Sequence, residues 1–125
     1  MRTDTDDKKL ILIVNPPGEL QIGLQALITS HLDVDVLAVS EVNSGIKVIK
    51  RYEPSLVLLD QNISKKELDS IITEIKGRWP EIPCLVLVND DQSKDHFDQA
   101  GADRVIVKGL LGSRLVEEIR LLLKT

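Results

Sequence analysis

Ile11-Leu12-Ile13-Val14-Asn15-Pro16-Pro17-Gly18 holds the pattern that decides the fold: an unbroken apolar run that ends abruptly at an amide, two prolines and a glycine. A strand with one wet face alternates apolar and polar residues, whereas a near-continuous apolar run suits a parallel strand covered on both faces. The runs Leu10–Val14, Val34–Val39, Leu56–Leu59, Cys84–Val88 and Val105–Val107 share this character, and each precedes a helical pattern.

The first helix opens after Pro17-Gly18 and puts Leu20, Leu24, Leu27 and Ile28 on one stripe. Ser40 is expected to cap the second, which carries Val42, Ile46 and Ile49 and ends before Pro54. A capping box, Ser64-Lys65-Lys66-Glu67, starts the third, with Gly77 and Pro80 as its stop. Ser93 is expected to cap the fourth, which stops at Ala100-Gly101, and the fifth starts near Ser113. Strictly alternating strands and helices predict a three-layer, doubly wound α/β domain with parallel strand order 2-1-3-4-5. In that order the sheet reverses direction between its first and third strands, and sites form outside the carboxyl ends of the strands at that reversal.

A chain of 125 residues fits one domain. Residues 1–9 read as a disordered, solvated tail, leaving 10–125 as the folded unit. Aromatic residues are only 2% of the chain and the formal net charge is −4, which argues against direct nucleic-acid binding by stacking or by phosphate neutralisation. No apolar run is long enough to span a bilayer, no signal region opens the chain, and the lone Cys84 permits no internal disulfide, so the expected location is the cytoplasm. Cys84 itself reads as a small core residue.

Two charged residues stand where the topology places a site. Pro54-Ser55-Leu56-Val57-Leu58-Leu59-Asp60 drives a carboxylate to the tip of a buried strand, and Val105-Ile106-Val107-Lys108-Gly109 does the same with an ammonium. Separately, each has a plain structural reading, as a loop-starting aspartate and a snorkelling lysine. At neighbouring strand ends, the lysine would favour the ionised aspartate and would also compensate charge on a phosphorylated one. His31 and His96 lack metal-ligand spacing and read as surface or cap residues, and Ser44-Gly45 lacks the surroundings of a phosphate loop.

With those residues in place, the sequence resembles a response-regulator receiver domain of two-component signalling, in the style of receivers that precede a helix-turn-helix output domain. The resemblance is carried by Leu10–Asn15, Gly23–Leu27, Pro54–Asp60, Ile82–Leu87, and Ala100–Asp103 through Lys108-Gly109. It implies that Asp60 is the phosphoacceptor and Lys108 its phosphoryl partner. It also implies two acidic residues after the first strand to hold Mg²⁺, a hydroxyl residue ending the fourth strand, and an aromatic residue in the fifth. Asn15, Pro16, Val88 and Val105 stand at those positions instead. Mg²⁺ wants octahedral oxygen coordination with one or two carboxylates. Asp60, the Asn15 amide oxygen and the Asn62 backbone carbonyl are what remain, so the expected cofactor is none or weakly bound Mg²⁺. Glu19, Asp90 and Asp91 fall nearby in a coarse layout of the fold, with nothing in the sequence to bring them to the ion.

The leading expectation is a degenerate receiver that acts through protein–protein contact with little dependence on phosphorylation. It is not an enzyme, beyond weak self-phosphorylation at Asp60 from a phosphodonor. Its partners would be a histidine kinase or a downstream effector. A homodimer would use the fourth helix, fifth strand and fifth helix, with Phe97, Val105, Leu111 and Leu121 as its apolar patch; Ile22 lies off the first helix's core stripe. The alternative is a working phosphoacceptor with a rearranged, weak Mg²⁺ site. An unrelated flavin- or nucleotide-binding domain is a third reading, for which Asn15-Pro16-Pro17-Gly18 is a poor phosphate loop.

Overall fold

Strands without a polar face need cover on both sides, and the helices supply it. The computed structural model describes residues 8–110 and 112–123. Its elements alternate as β1 (Lys9–Val14), α1 (Glu19–His31), β2 (Val34–Val39), α2 (Val42–Tyr52), β3 (Leu56–Asp60), α3 (Lys65–Arg78), β4 (Cys84–Val88), α4 (Asp91–Ala100), β5 (Arg104–Val107) and α5 (Ser113–Leu123), with a 3₁₀ turn at Lys108–Leu110. All strand pairs are parallel, in the order β2-β1-β3-β4-β5. This is the flavodoxin-like order expected from the sequence.

Side chains alternate across a pleated strand, so each strand feeds two cores. Leu12, Val14, Val57, Leu59, Val86 and Val88 join α2, α3 and α4 on one face. Ile11, Ile13, Leu56, Leu58, Leu85 and Leu87 join Leu24 and Ile28 of α1 and Leu115 and Ile119 of α5 on the other. Every residue of the central strands β3 and β4 is buried, while edge strand β2 has none buried and exposes Asp35 and Leu37. Cys84 is completely buried, and that burial pushes its thiol up to about 12.

Local expectations fail where a neighbour offers a better partner. The tail expected over residues 1–9 is corrected at its end, since β1 begins at Lys9, whose Nζ donates to the Leu123 carbonyl across the foot of the sheet; residues 1–7 lie outside the described residues. α2 begins after Glu41, with no side-chain cap at either Glu41 or Ser40. It lies so close to β1 that a Cβ at Gly45 would stand 2.9 Å from Val14 Cγ2. α3 has its Ser64 cap, with the Glu67 N–H donating to Ser64 Oγ at 3.2 Å. It runs through Gly77, because the Ile75 carbonyl is still satisfied by the Trp79 N–H at 2.7 Å, and stops before Pro80. The cap of α4 is Asp90, three residues ahead of Ser93, whose N–H donates to Asp90 Oδ1 at 2.9 Å. α4 stops as expected at Gly101, with φ of 108°.

The apolar patch is also corrected. Phe97 is 1% exposed and Val105 7%, and both belong to the core on the α2–α4 side. The reason lies in the composition of α4: Asp91-Gln92-Ser93-Lys94-Asp95-His96-Phe97-Asp98-Gln99-Ala100 has one large apolar residue, and burying it is what seats the helix on the sheet. Leu121 is exposed at 48% and Ile22 at 67%; Leu111 lies outside the described residues. Among the described residues no helix is long and apolar enough to cross a membrane.

Candidate functional site

The reversal of the sheet puts β1 beside β3. Val14 pairs with Leu59, so the next residues, Asn15 and Asp60, emerge side by side at the carboxyl rim. They are the buried polar residues among those described, 1% and 2% exposed. A buried carboxylate needs compensation, and Asp60 has it from two donors. Lys108 Nζ lies 2.6 Å from Asp60 Oδ1, and the Asn62 backbone N–H donates to the same oxygen at 3.0 Å. Lys108 is presented by the 3₁₀ turn that follows β5, with its side chain 19% exposed. The lysine thus reaches inward to pair; it does not merely snorkel.

Asn15 is held from three sides. Its backbone N–H donates to the Val39 carbonyl at 3.1 Å. Gln21 Nε2, from the first turn of α1, donates to Asn15 Oδ1 at 3.0 Å and to its carbonyl at 3.2 Å. Asn15 Nδ2 is buried with no hydrogen-bond partner. An unmet buried donor of this kind costs about 1–3 kcal/mol. Pro16 and Pro17 are exposed and pass the chain to Gly18, whose φ of 146° precedes α1. The Asn-Pro-Pro-Gly segment is thus a turn into a helix, with its amide end plugged into the site.

The donor set suits a divalent cation poorly. Asp60 brings one carboxylate, already paired. Asn15 has its oxygen engaged by Gln21 and leaves a positively polarised N–H₂ unmet. Pro16, Asn62, Glu41 and Glu67 line an adjoining cleft of about 320 Å³, yet Glu67 Oε1 accepts from Ser64 Oγ. Glu19 and Asp91 are exposed. Asp90 is committed to its cap, and hydrogen bonds from Ser93, the backbone N–H first, hold its carboxyl below the ordinary value of 3.8. Among the described residues no cluster of three or more His, Cys, Asp or Glu is placed to hold a metal ion.

Val88, which ends β4, is completely buried among apolar side chains and offers the rim nothing polar. Two glutamines that the sequence did not single out do more. Gln21 fixes Asn15, and Gln61, next to Asp60, reaches across to the β4–α4 turn. Only position relative to the strand ends could have flagged them, since neither type nor spacing is distinctive. His31 Nδ1 donates locally to the Leu27 carbonyl at 3.0 Å, while His96 pairs with Asp69 at 2.9 Å between α4 and α3, a contact without a sequence signal.

The chain and its fold have counterparts among known proteins. The transcriptional regulatory protein DegU of Brevibacillus brevis is 23% identical over 118 residues, covering 92% of this chain and 50% of that protein. The response regulator protein VraR of Staphylococcus aureus is 25% identical over 115 residues, covering 88% and 54%. The chain therefore spans about half the length of these relatives. Among solved structures, the BeF₃-activated N-terminal receiver domain of Klebsiella pneumoniae RstA matches with a TM-score of 0.83 and 26% identity, over 93% of this chain and 99% of that one. A CheY-like receiver domain from Methanospirillum hungatei matches in fold with a TM-score of 0.82 at 19% identity, over 94% of each chain. The family model of the response regulator receiver domain matches residues 11–120: the chain belongs to the response-regulator receiver family of two-component signalling.

Proposed function

We propose that this receiver domain works as a protein-interaction module whose conformation depends little on phosphorylation, and that it binds Mg²⁺ weakly or not at all. The observation that carries the reading is the state of the buried rim. The strand end beside Asp60 contributes the unmet amide N–H₂ of Asn15 where a cation would need a second carboxylate. Val88 adds no hydroxyl through which a phosphoryl group would pull on β4. A ligand shifts a conformational equilibrium only through contacts that differ between the states, and this rim supplies few. Partners are of the two-component kind, a histidine kinase or a downstream effector, in the cytoplasm. A homodimer through α4, β5 and α5 would use Leu121, with Phe97 and Val105 contributing from within the core only.

The second reading is a working phosphoacceptor, and the Asp60–Lys108 pair favours it. In that reaction an Asp60 carboxylate oxygen attacks the phosphorus of a small phosphodonor, the donor's leaving group departs with the bonding electrons, and an acyl phosphate remains with Lys108 beside its charge. Intact mass after incubation with a small phosphodonor separates the two. With and without Mg²⁺, alongside Asp60→Asn and a receiver known to label, the interaction-module reading expects no mass gain. A Mg²⁺-dependent gain of one phosphoryl group, lost in Asp60→Asn, would establish the phosphoacceptor instead.

A further inference from the structure

We propose that Gln61 is a positioning residue that holds the β4–α4 turn in one place whatever the chemical state of Asp60; the proposal deepens the interaction-module reading and rests on it for its biological sense. Gln61 is anchored first by its backbone. Asp60 pairs with Leu87 across the sheet, and the Gln61 N–H extends that ladder by donating to the Leu87 carbonyl at 2.8 Å. From this fixed point the side chain spans the gap to the next turn. Oε1 accepts from the Asn89 backbone N–H at 2.5 Å, and Nε2 donates to Ser93 Oγ at 2.5 Å. The two ends of the amide are chemically distinct, so this pairing admits one orientation: a flipped amide would aim its N–H₂ at the Asn89 N–H.

Ser93 is itself held, because its N–H donates to the Asp90 carboxylate that caps α4. Asn89, Asp90 and Ser93 therefore form one braced turn, with Gln61 as the strut to β3. Among the described residues, these two bonds are the side-chain hydrogen bonds joining the β3–α3 turn to the β4–α4 turn. Asp60 directs its own bonds elsewhere, to Lys108 and to the Asn62 N–H. Val88 faces the core. A change at the Asp60 carboxylate thus has no polar contact through which to move this turn, while its neighbour grips the turn permanently. The adjacent cleft bounded by Gln61, Lys65, Gln92, Ser93, His96 and Phe97 would then keep a constant shape.

Residue-resolved amide exchange on the whole chain tests this. In Gln61→Ala the protection of the Asn89 amide is expected to fall about tenfold, the equivalent of one lost hydrogen bond, with the Leu85 and Val86 amides of β4 unchanged. Gln61→Glu keeps the acceptor and loses the donor, so it should preserve Asn89 protection while loosening the first turn of α4; it serves equally if the alanine variant folds poorly. In the unaltered protein, beryllofluoride and Mg²⁺ raised until the Asn62 amide resonance shifts should leave the Asn89 resonance in place. Unchanged Asn89 exchange in Gln61→Ala, or a beryllofluoride-induced shift of Asn89 in the unaltered protein, would overturn the strut. Phosphoryl labelling of Asp60 with Asn89 unmoved would defeat the phosphorylation-independent reading of the site and leave the strut standing.

Discussion

Two lysine–aspartate pairs of almost equal length sit at opposite ends of the sheet. Lys108–Asp60 spans 2.6 Å at the carboxyl rim, and Lys76–Asp103 spans 2.7 Å at the amino end of β4. Their surroundings separate them. Asp103 has a side chain 36% exposed and spends one oxygen on the Cys84 backbone N–H at 2.7 Å, while Lys76 also donates to the Ile82 carbonyl at 2.9 Å. That pair ties α3 to the turns around β4 and is a brace in partly wet surroundings. Asp60 has a side chain 2% exposed at the point where the strand order reverses. The same chemistry is therefore a surface staple at one end and a compensated buried charge at the other. A site is recognised by burial and topology, and the ion pair alone does not mark one.

Removing the lysine from each pair should expose that difference. The largest effect is expected for Lys108→Met, which strands a buried carboxylate and should lower stability by about 3 kcal/mol in urea unfolding at pH 7. Adding Asp60→Asn should recover most of that loss, since the pair then leaves no charge behind. A Lys108→Met loss no greater than that of Lys76→Met would erase the distinction. Lys76→Met itself should cost about 1 kcal/mol, because water takes over part of what the ammonium supplied to Asp103.

The smallest effect concerns Asp90 on the rim. Its folded value lies below the ordinary 3.8 because of the Ser93 hydrogen bonds, so its capping contribution is complete above the unfolded value and is lost as pH falls through the folded one. Amide protection in the first turn of α4 should therefore weaken below about pH 3.8, and Asp90→Asn, which still caps, should flatten that dependence. An acid profile that Asp90→Asn leaves unaltered would show that ionisation of Asp90 does not hold the turn.

Much of this was legible in the residues. β2 and β4 have the bounds their apolar runs predict, and Asp60 and Lys108 are at the rim because each directly follows a buried run. Caps were harder, since Asp90 and Ser93 are both good capping types and only the path of the chain chooses between them. Phe97 was misplaced for a related reason: helical periodicity marks a stripe, and one apolar residue makes no stripe.

The layered parallel sheet and the meeting of a carboxylate with an ammonium can be read from the residues alone, because strand burial and alternation are written in consecutive positions. The residues also put an amide, a proline and a valine at Asn15, Pro16 and Val88, where the resemblance implies acidic and hydroxyl groups. Packing between elements is what brings Gln21 to Asn15 and Gln61 to Asn89 and Ser93, and what leaves Asn15 with an unmet donor. Those contacts join different turns, and their existence turns on a few ångströms of register and approach between packed elements, a distance that no local pattern of residues encodes.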